Sequence, residues 1–345
     1  MKLFYIFPLK GPINGVKIIA THVLDRLKRD NIDIVEIDTS QAVEYSNFGK
    51  FSLKKVFFLK DIFSRLKSLD KNDYVLMNLS TKGFSFYRDL AILSFLIYKD
   101  ANITIQIHAN GLEDIKSGII KNILNRIKII VINKKQYQDL HQYKNVFYLE
   151  NSLPDYYNGI FDPIVASKNT IQLLYMSNLS RPKGIDLLNE ICEVIASEKL
   201  NYTITICGGI LDEYTKSILS RITSKYGFLN YIGPIDRIEA KMEIYQKHDF
   251  LLFLSNRNYE VYPLVYIEAL MNGLSVITTE QIVADGIISD GRGLLLKNDN
   301  FITFISEFSG EKLRNLKKSN RQKFEDDYQF ESYFQAIKKI IFNEL

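Results

Sequence analysis

The sequence predicts an α/β protein of two domains, each a parallel sheet with helices on both faces. Three observations carry this prediction. Short apolar runs alternate with amphipathic helical stretches along most of the chain, the pattern of repeated strand–helix units. The alternation comes in two series, separated at residues 150–169 by ENSLPDYYNGIFDPIVASKN, which is rich in Pro, Gly, Asn and Asp and has neither strand nor helix period. The chain has 345 residues, 46% hydrophobic and 24% charged, a globular composition long enough for about two domains that each bury a core.

In order, KLFYIFPL, VKIIATHVLDRLKRD and IDIVEID read as strand, helix and strand, and YVLMNLS, FYRDLAILSFLIYK, ITIQIHA, IKIIVIN and VFYLE continue the first series. The second runs from TIQLLYMS through IDLLNEICEVIASE, YTITICGG, LDEYTKSILSRITSKYG, LNYIG, RIEAKMEIYQKH, DFLLFLS and LVYIEALMNG to LSVITT. Two Rossmann-like halves follow, residues 1–152 and 153–328. Beyond about residue 299 only helical patterns remain. The last of them, within 329–345, sets Phe330, Tyr333, Phe334, Ile337, Ile340 and Ile341 on one broad face.

No apolar run approaches the roughly 18 residues that cross a bilayer. The N-terminal run alternates like a strand and lacks a small-residue cleavage site, so no signal peptide is read. Cys192 and Cys207 lie far apart in apolar contexts, which argues against a disulfide framework or a thiolate metal site and fits a reducing cytoplasm. The net charge is only +4, but Lys and Arg gather in 51–69 and 116–135. No nucleic-acid-binding module accompanies them, so nucleic acid is not an expected partner. Segment 51–69 has two readings: a basic amphipathic helix lying peripherally on the anionic inner face of the cell membrane, or an ordinary domain helix with solvated cations.

Ligands of open parallel sheets bind beyond the carboxyl ends of the strands, where helix N-termini offer unpaired amides and partial positive charge. The strongest signal of such a site is LLFLSNRNYEVYPLVYIEALMNGLSVITT. A strand at 250–254 ends in a loop with Glu260 and Tyr262, Pro263 opens a helix holding Glu268, and Gly273 closes it. Leu264 and Val265 present free amides suited to a diphosphate. Glu268, among Ile267, Ala269 and Leu270, needs a specific donor partner, for which ribose hydroxyls would serve. The plain structural alternative is a capping Glu260 and a salt-bridged Glu268.

This segment resembles the donor-site motif of the family 4 retaining glycosyltransferases, which have the GT-B fold. The resemblance is densest over 171–296. It implies that Glu260 contacts the transferred sugar and Glu268 the nucleotide ribose. In LLYMSNLSRPKGIDLLNEI, Lys183 at a helix start opposes the helix dipole and resembles the family's Arg-and-Lys pair on the donor phosphates. Where many members have Gly-Arg, this chain has Ser177-Asn178. Either Arg181 supplies the missing charge or Lys183 acts alone, and Asn178 remains a donor-site candidate. FPLKGPINGVKII places Gly11, Pro12, Asn14 and Gly15 between strand and helix, similar to the family's N-terminal glycine loop. His108, ending a strand, is implied to contact the donor sugar, and Gly208, Gly209 and the Gly233-Pro234 turn resemble loops that line the base.

No Asp-x-Asp at a strand end, no G-x-x-x-x-G-K-[ST], no G-x-S-x-G and no metal-spaced His or Cys cluster is found. Catalysis without a metal or cofactor is expected, with cations and backbone dipoles stabilising the leaving phosphate. The resemblance implies transfer of a sugar from a nucleotide-sugar donor to an acceptor hydroxyl with retention. The acceptor is expected to be lipid-linked or a growing bacterial surface polysaccharide, and the C-terminal helix is expected to return to the first domain. The alternatives are a GT-B epimerase and a non-catalytic sugar-nucleotide binder. Phosphorylase is disfavoured because no pyridoxal-phosphate lysine context is present.

Overall fold

The computed structural model describes all residues except 12, 41–52, 158–159, 164–169, 257–259, 280–292, 298–299 and 345, and leaves the side chains of 53–57 and 300 undescribed. It contains two compact units, Met1–Ser152 together with Phe330–Leu345, and Leu153–Gln329. Each is built on a six-stranded sheet.

In the first unit the strands are β1 (Leu3–Phe7), β2 (Ile34–Asp38), β3 (Tyr74–Asn78), β4 (Asn102–Ile107), β5 (Lys128–Val131) and β6 (Val146–Tyr148). Their order is β2-β1-β3-β4-β5-β6, all parallel. Helices α1 (Gly15–Arg29), α2 (Leu53–Leu66), α3 (Gly83–Tyr98), α4 (Gly118–Leu124) and α5 (Lys134–Asp139) connect them. Both faces of a parallel sheet are covered, so its inner strands are largely apolar: every residue of LFYIF in β1 is buried. The C-terminal helix Phe330–Phe342 belongs to this unit. Its apolar face is buried, Tyr333 Oη accepts from Gln106 Nε2 at 2.9 Å, and Glu331 and Lys338 pair with Arg26 and Asp30.

In α2, Ile62 and Leu66 are buried, as is Leu69 just beyond it, while Phe58 and Phe63 pack on the same core. Lys60, Arg65 and Lys67 face solvent. Along this described stretch the apolar side is therefore spent on the unit's own core, as the ordinary-helix reading expects. The basic and aromatic side chains of 51–57 lie outside the described residues.

The second unit contains β7 (Ile171–Met176), α6 (Ile185–Ser197), β8 (Tyr202–Cys207), α7 (Glu213–Lys225), β9 (Leu229–Gly233), α8 (Ile238–Gln246), β10 (Phe250–Phe253), α9 (Leu264–Met271), β11 (Ser275–Thr278) and β12 (Gly293–Leu295). The sheet order is β12-β11-β10-β7-β8-β9, again parallel. From β7 the chain winds outward to β8 and β9, then returns to the other side of β7 for β10 and β11. The order thus reverses between β7 and β10, and the carboxyl ends of those strands are where an open α/β sheet offers a crevice. Helix Gly310–Asp327 braces α9 from behind: Asn320 Nδ2 donates to Gly273 O at 3.2 Å and Arg321 to Met271 O at 2.9 Å. The edge strand β12 was not anticipated from sequence, since three residues carry no readable period.

Candidate donor site of the second unit

At the reversal point the loops leaving β7 and β10 pack against each other. Asn256 N donates to Pro182 O at 2.9 Å. Gly184 has φ +91°, and a Cβ there would lie 2.2 Å from Leu254 O, so only glycine permits this approach. The contact brings Lys183 from the first loop to Glu260 from the second, and their side chains form an ion pair with each 18% exposed. Tyr175 Oη, rising from β7, donates to Lys183 O at 2.8 Å and fixes the backbone beneath it. Burial pulls the Lys183 ammonium down to about 8, while the Glu260 carboxylate beside it favours the charged form.

Arg181 is not brought to this pair. Residues 181–183 form a single 3-10 turn, in which residues two apart project to different sides of the axis. The Arg181 guanidinium lies 5.2 Å from the Tyr214 ring centroid and pairs with Asp186 at 3.1 Å. The two cations that the sequence offered for the donor phosphates thus have different partners, Asp186 for Arg181 and Glu260 for Lys183. Asn178 is exposed in the same loop. A cavity of about 410 Å³ adjoins these loops, lined by Arg181, Pro182, Gly184, Asp186, Leu254 and Asn256 among others. Lys183, Glu260 and Glu268 do not line it.

Pro263 caps α9 with φ −76° and ψ 120°, and Leu264 and Val265 open the helix, so the amides expected to be free stand at its N-terminus. Tyr262 precedes them, half-buried. Glu268, one turn further in, is 3% exposed. Its carboxylate accepts from Lys241 Nζ at 2.5 Å and from Tyr245 Oη at 2.9 Å. The salt-bridged alternative for Glu268 is therefore met, with a partner that sequence reasoning missed. Lys241 and Tyr245 are four apart on α8 and share a face, but nothing in the sequence aims that face at a residue of α9.

The loops after β8 and β9 are tied to the β7 loop. Gly208 has φ +136°, and a Cβ there would sit 1.6 Å from Ser177 O. Leu179 N donates to Gly209 O at 2.8 Å, Gly208 N to Gly233 O at 2.9 Å, and Tyr231 Oη to Gly208 O at 2.9 Å. Pro234 follows, exposed. Gly208, Gly209 and Pro234 thus stand on one rigid carboxyl-end rim with the β7 loop.

In the first unit, Asn14 is the N-cap of α1, its side chain accepting from Lys17 N at 3.0 Å, and Gly15 is the first helical residue. Asn14 accordingly has a structural task in addition to any contact with ligand. His108 follows β4. Its Nε2 is buried with no partner, and burial lowers the imidazole to about 4, so the ring is neutral near pH 7. Among the described residues no group of three or more His, Cys, Asp or Glu converges as a metal site, and no helix is long and apolar enough to cross a membrane.

Two α/β units, each on a parallel six-stranded sheet and spanning the whole chain, define the GT-B fold. Residues 160–318, a little under half of the chain, match the family model of the glycosyl transferases group 1. Among solved structures, the chain is similar to sucrose-phosphate synthase from Thermosynechococcus elongatus, with TM-score 0.72 and 14% identity over 99% of this chain and 98% of that one. The lipopolysaccharide outer core galactosyltransferase WaaB in its apo form gives 0.70 and 14% over 100% of both chains. Anabaena HepE, in complex with UDP and glucose, gives 0.69 and 13% over 98% of both. No curated protein sequence matches the chain.

Proposed function

We propose that the protein transfers a sugar from a nucleoside-diphosphate donor to an acceptor hydroxyl. The observation that carries this reading is the Lys183–Glu260 pair at the β7/β10 reversal point, inside the segment that matches the group 1 glycosyltransferase model. An ammonium and the N-terminus of α9 supply the positive charge a diphosphate requires. On donor binding, the β-phosphate takes over the Lys183 ammonium, and Glu260 is freed to accept from hydroxyls of the sugar. Glu268 receives the ribose hydroxyls and the rim of Gly208, Gly209 and Pro234 lines the base, while a role for His108 of the first unit at the sugar is proposed on the resemblance to family 4 transferases alone.

In the transfer step the bond from the anomeric carbon to the phosphate oxygen breaks and the bond to the acceptor oxygen forms on the same face. The acceptor proton passes to the departing phosphate oxygen, and the leaving charge is held by Lys183 and the α9 amides rather than by a metal. Retention, metal independence and the site roles rest on the resemblance of EVYPLVYIEAL and LSRPKG to family 4 transferases. UDP in HepE makes UDP-sugars the first donors to test. A lipid-linked or growing polysaccharide acceptor is proposed on the same likeness. Attachment to an anionic membrane through the basic segment 51–69 belongs to the same proposal, and co-sedimentation with anionic vesicles at low and high salt tests it.

A donor panel assayed for nucleotide release, with and without acceptor glycans, tests the proposal. Acceptor-dependent release is the expected result. Tight nucleotide binding without turnover on any acceptor would instead favour the non-catalytic binder.

A further inference from the structure

Glu268 does not stand alone in the second unit. It is 3% exposed, and each carboxylate oxygen already holds one protein donor: Oε1 the ammonium of Lys241 at 2.5 Å, Oε2 the phenol of Tyr245 at 2.9 Å. A carboxylate has about four acceptor sites on its two oxygens. One donor on each leaves one acceptor direction per oxygen, which matches two adjacent hydroxyls. Both donors come from one face of α8, at i and i+4, so a single rigid element sets the roll of the carboxylate.

The two donors differ in what they contribute. Tyr245 is fully buried, and burial followed by the neighbouring Glu268 pushes its phenol well above its ordinary value, so it donates at every working pH. Lys241 is partly open, its side chain 21% exposed against 4% for Glu268. It also lies close enough to the buried thiol of Cys207, which ends β8, to act on it electrostatically. Without the Lys241 ammonium, a carboxylate only 3% exposed would have no counter-charge among its direct partners.

We infer that Lys241 is the positioning residue that holds Glu268 turned so that its remaining acceptor directions receive the vicinal ribose diol of the donor nucleotide, with Tyr245 as the second anchor. This rests on the proposed role of Glu268. It assigns to α8 a task that composition and motif spacing did not reveal: selecting ribonucleotides over nucleotides lacking the diol.

Calorimetric titration separates this role from mere support of the fold. UDP, GDP and ADP are titrated into the full-length wild type, and the tightest is compared with its 2′,3′-dideoxy analogue, for wild type, Lys241→Met, Lys241→Arg and Glu268→Gln. The wild type should prefer the ribonucleotide by roughly 10- to 100-fold, the worth of one or two charge-assisted hydrogen bonds. Lys241→Met should erase most of that preference while changing the affinity for the dideoxy form less than about threefold. Lys241→Arg, which retains the cation, should recover a large part of it and keeps the test valid if the methionine variant melts early. A full ribose preference in Lys241→Met, or equal weakening of both nucleotides in folded Lys241→Met and Lys241→Arg, would overturn the role of Lys241. A wild type without ribose preference would instead refute the ribose assignment of Glu268 itself, and the positioning role with it.

Discussion

Lys183 sits under two opposing influences, burial that lowers its pKa to about 8 and a carboxylate partner that favours its charge. If the ammonium holds the donor diphosphate, kcat/KM falls as pH rises through about 8, because the free enzyme loses the cation. In kcat the same limb moves to higher pH, because bound diphosphate retains the proton. Lys183→Arg should remove the limb, since guanidinium does not titrate there. Lys183→Ala should lower kcat/KM by roughly 10- to 100-fold, while Arg181→Ala, whose partners are Asp186 and Tyr214, should cost less than about threefold. Equal losses in the two variants would contradict the assignment. His108 gives a pH signature in stability rather than rate. Its folded value is about 4 against roughly 6.5 when unfolded, so the unfolded chain binds more protons between the two and stability falls as pH drops through that window. Half-buried His22 and buried His248 are lowered as well, so the test is the difference between wild type and His108→Gln in melting temperature from pH 7 to 5, expected to shrink toward acid. Glu260, Lys183 and Glu268 could be singled out as candidates because Pro263, Gly273 and Gly184 punctuate their loops. Lys241 and Tyr245 were not, because a helical i,i+4 pair says nothing about which distant carboxylate it meets.

Among the elements, the β7–α6 junction depends on close backbone contact. Gly184→Ala puts a Cβ 2.2 Å from Leu254 O in a left-handed conformation, and should cost more than about 2 kcal/mol and loosen the Lys183 loop. An unchanged melting temperature and donor KM would show that the loop yields freely. The helix Phe330–Phe342 buries Phe330, Tyr333, Phe334, Ile337, Ile340 and Ile341 in the first unit. At about 1.5–3 kcal/mol per buried side chain, removing residues 329–345 takes away as much as a whole domain's stability of roughly 5–15 kcal/mol. Such a truncation should not melt cooperatively as the full chain does, and Phe334→Ala alone should cost about 3–5 kcal/mol. Elements with a clear apolar signal were readable: continuous apolar runs such as LFYIF and FLLF demand a sheet covered on both faces, and each is a strand. β12 was not, since GLL carries no period, and the face of α2 could be assigned only once its core partners were known.

For the whole molecule, the central claim is that the second unit binds a sugar nucleotide through Lys183 and Glu260 at the sheet's reversal point and passes the sugar on. Turnover should survive excess EDTA, because no strand-end Asp-x-Asp pair is available to hold a divalent ion. Loss with EDTA that manganese or magnesium restores would contradict the charge-stabilisation scheme. The architecture could be read from the sequence because the same strand–helix alternation recurs in two series around one linker. Donor and acceptor could not, since base and sugar are chosen by the shapes of loops that carry no period. The most direct test is acceptor-dependent release of nucleoside diphosphate from a sugar-nucleotide panel by wild type, Lys183→Ala and Glu260→Gln. The account predicts release by the wild type from at least one donor and a drop of at least tenfold in both folded variants. Undiminished release by either variant, or no release by the wild type from any donor, would contradict it.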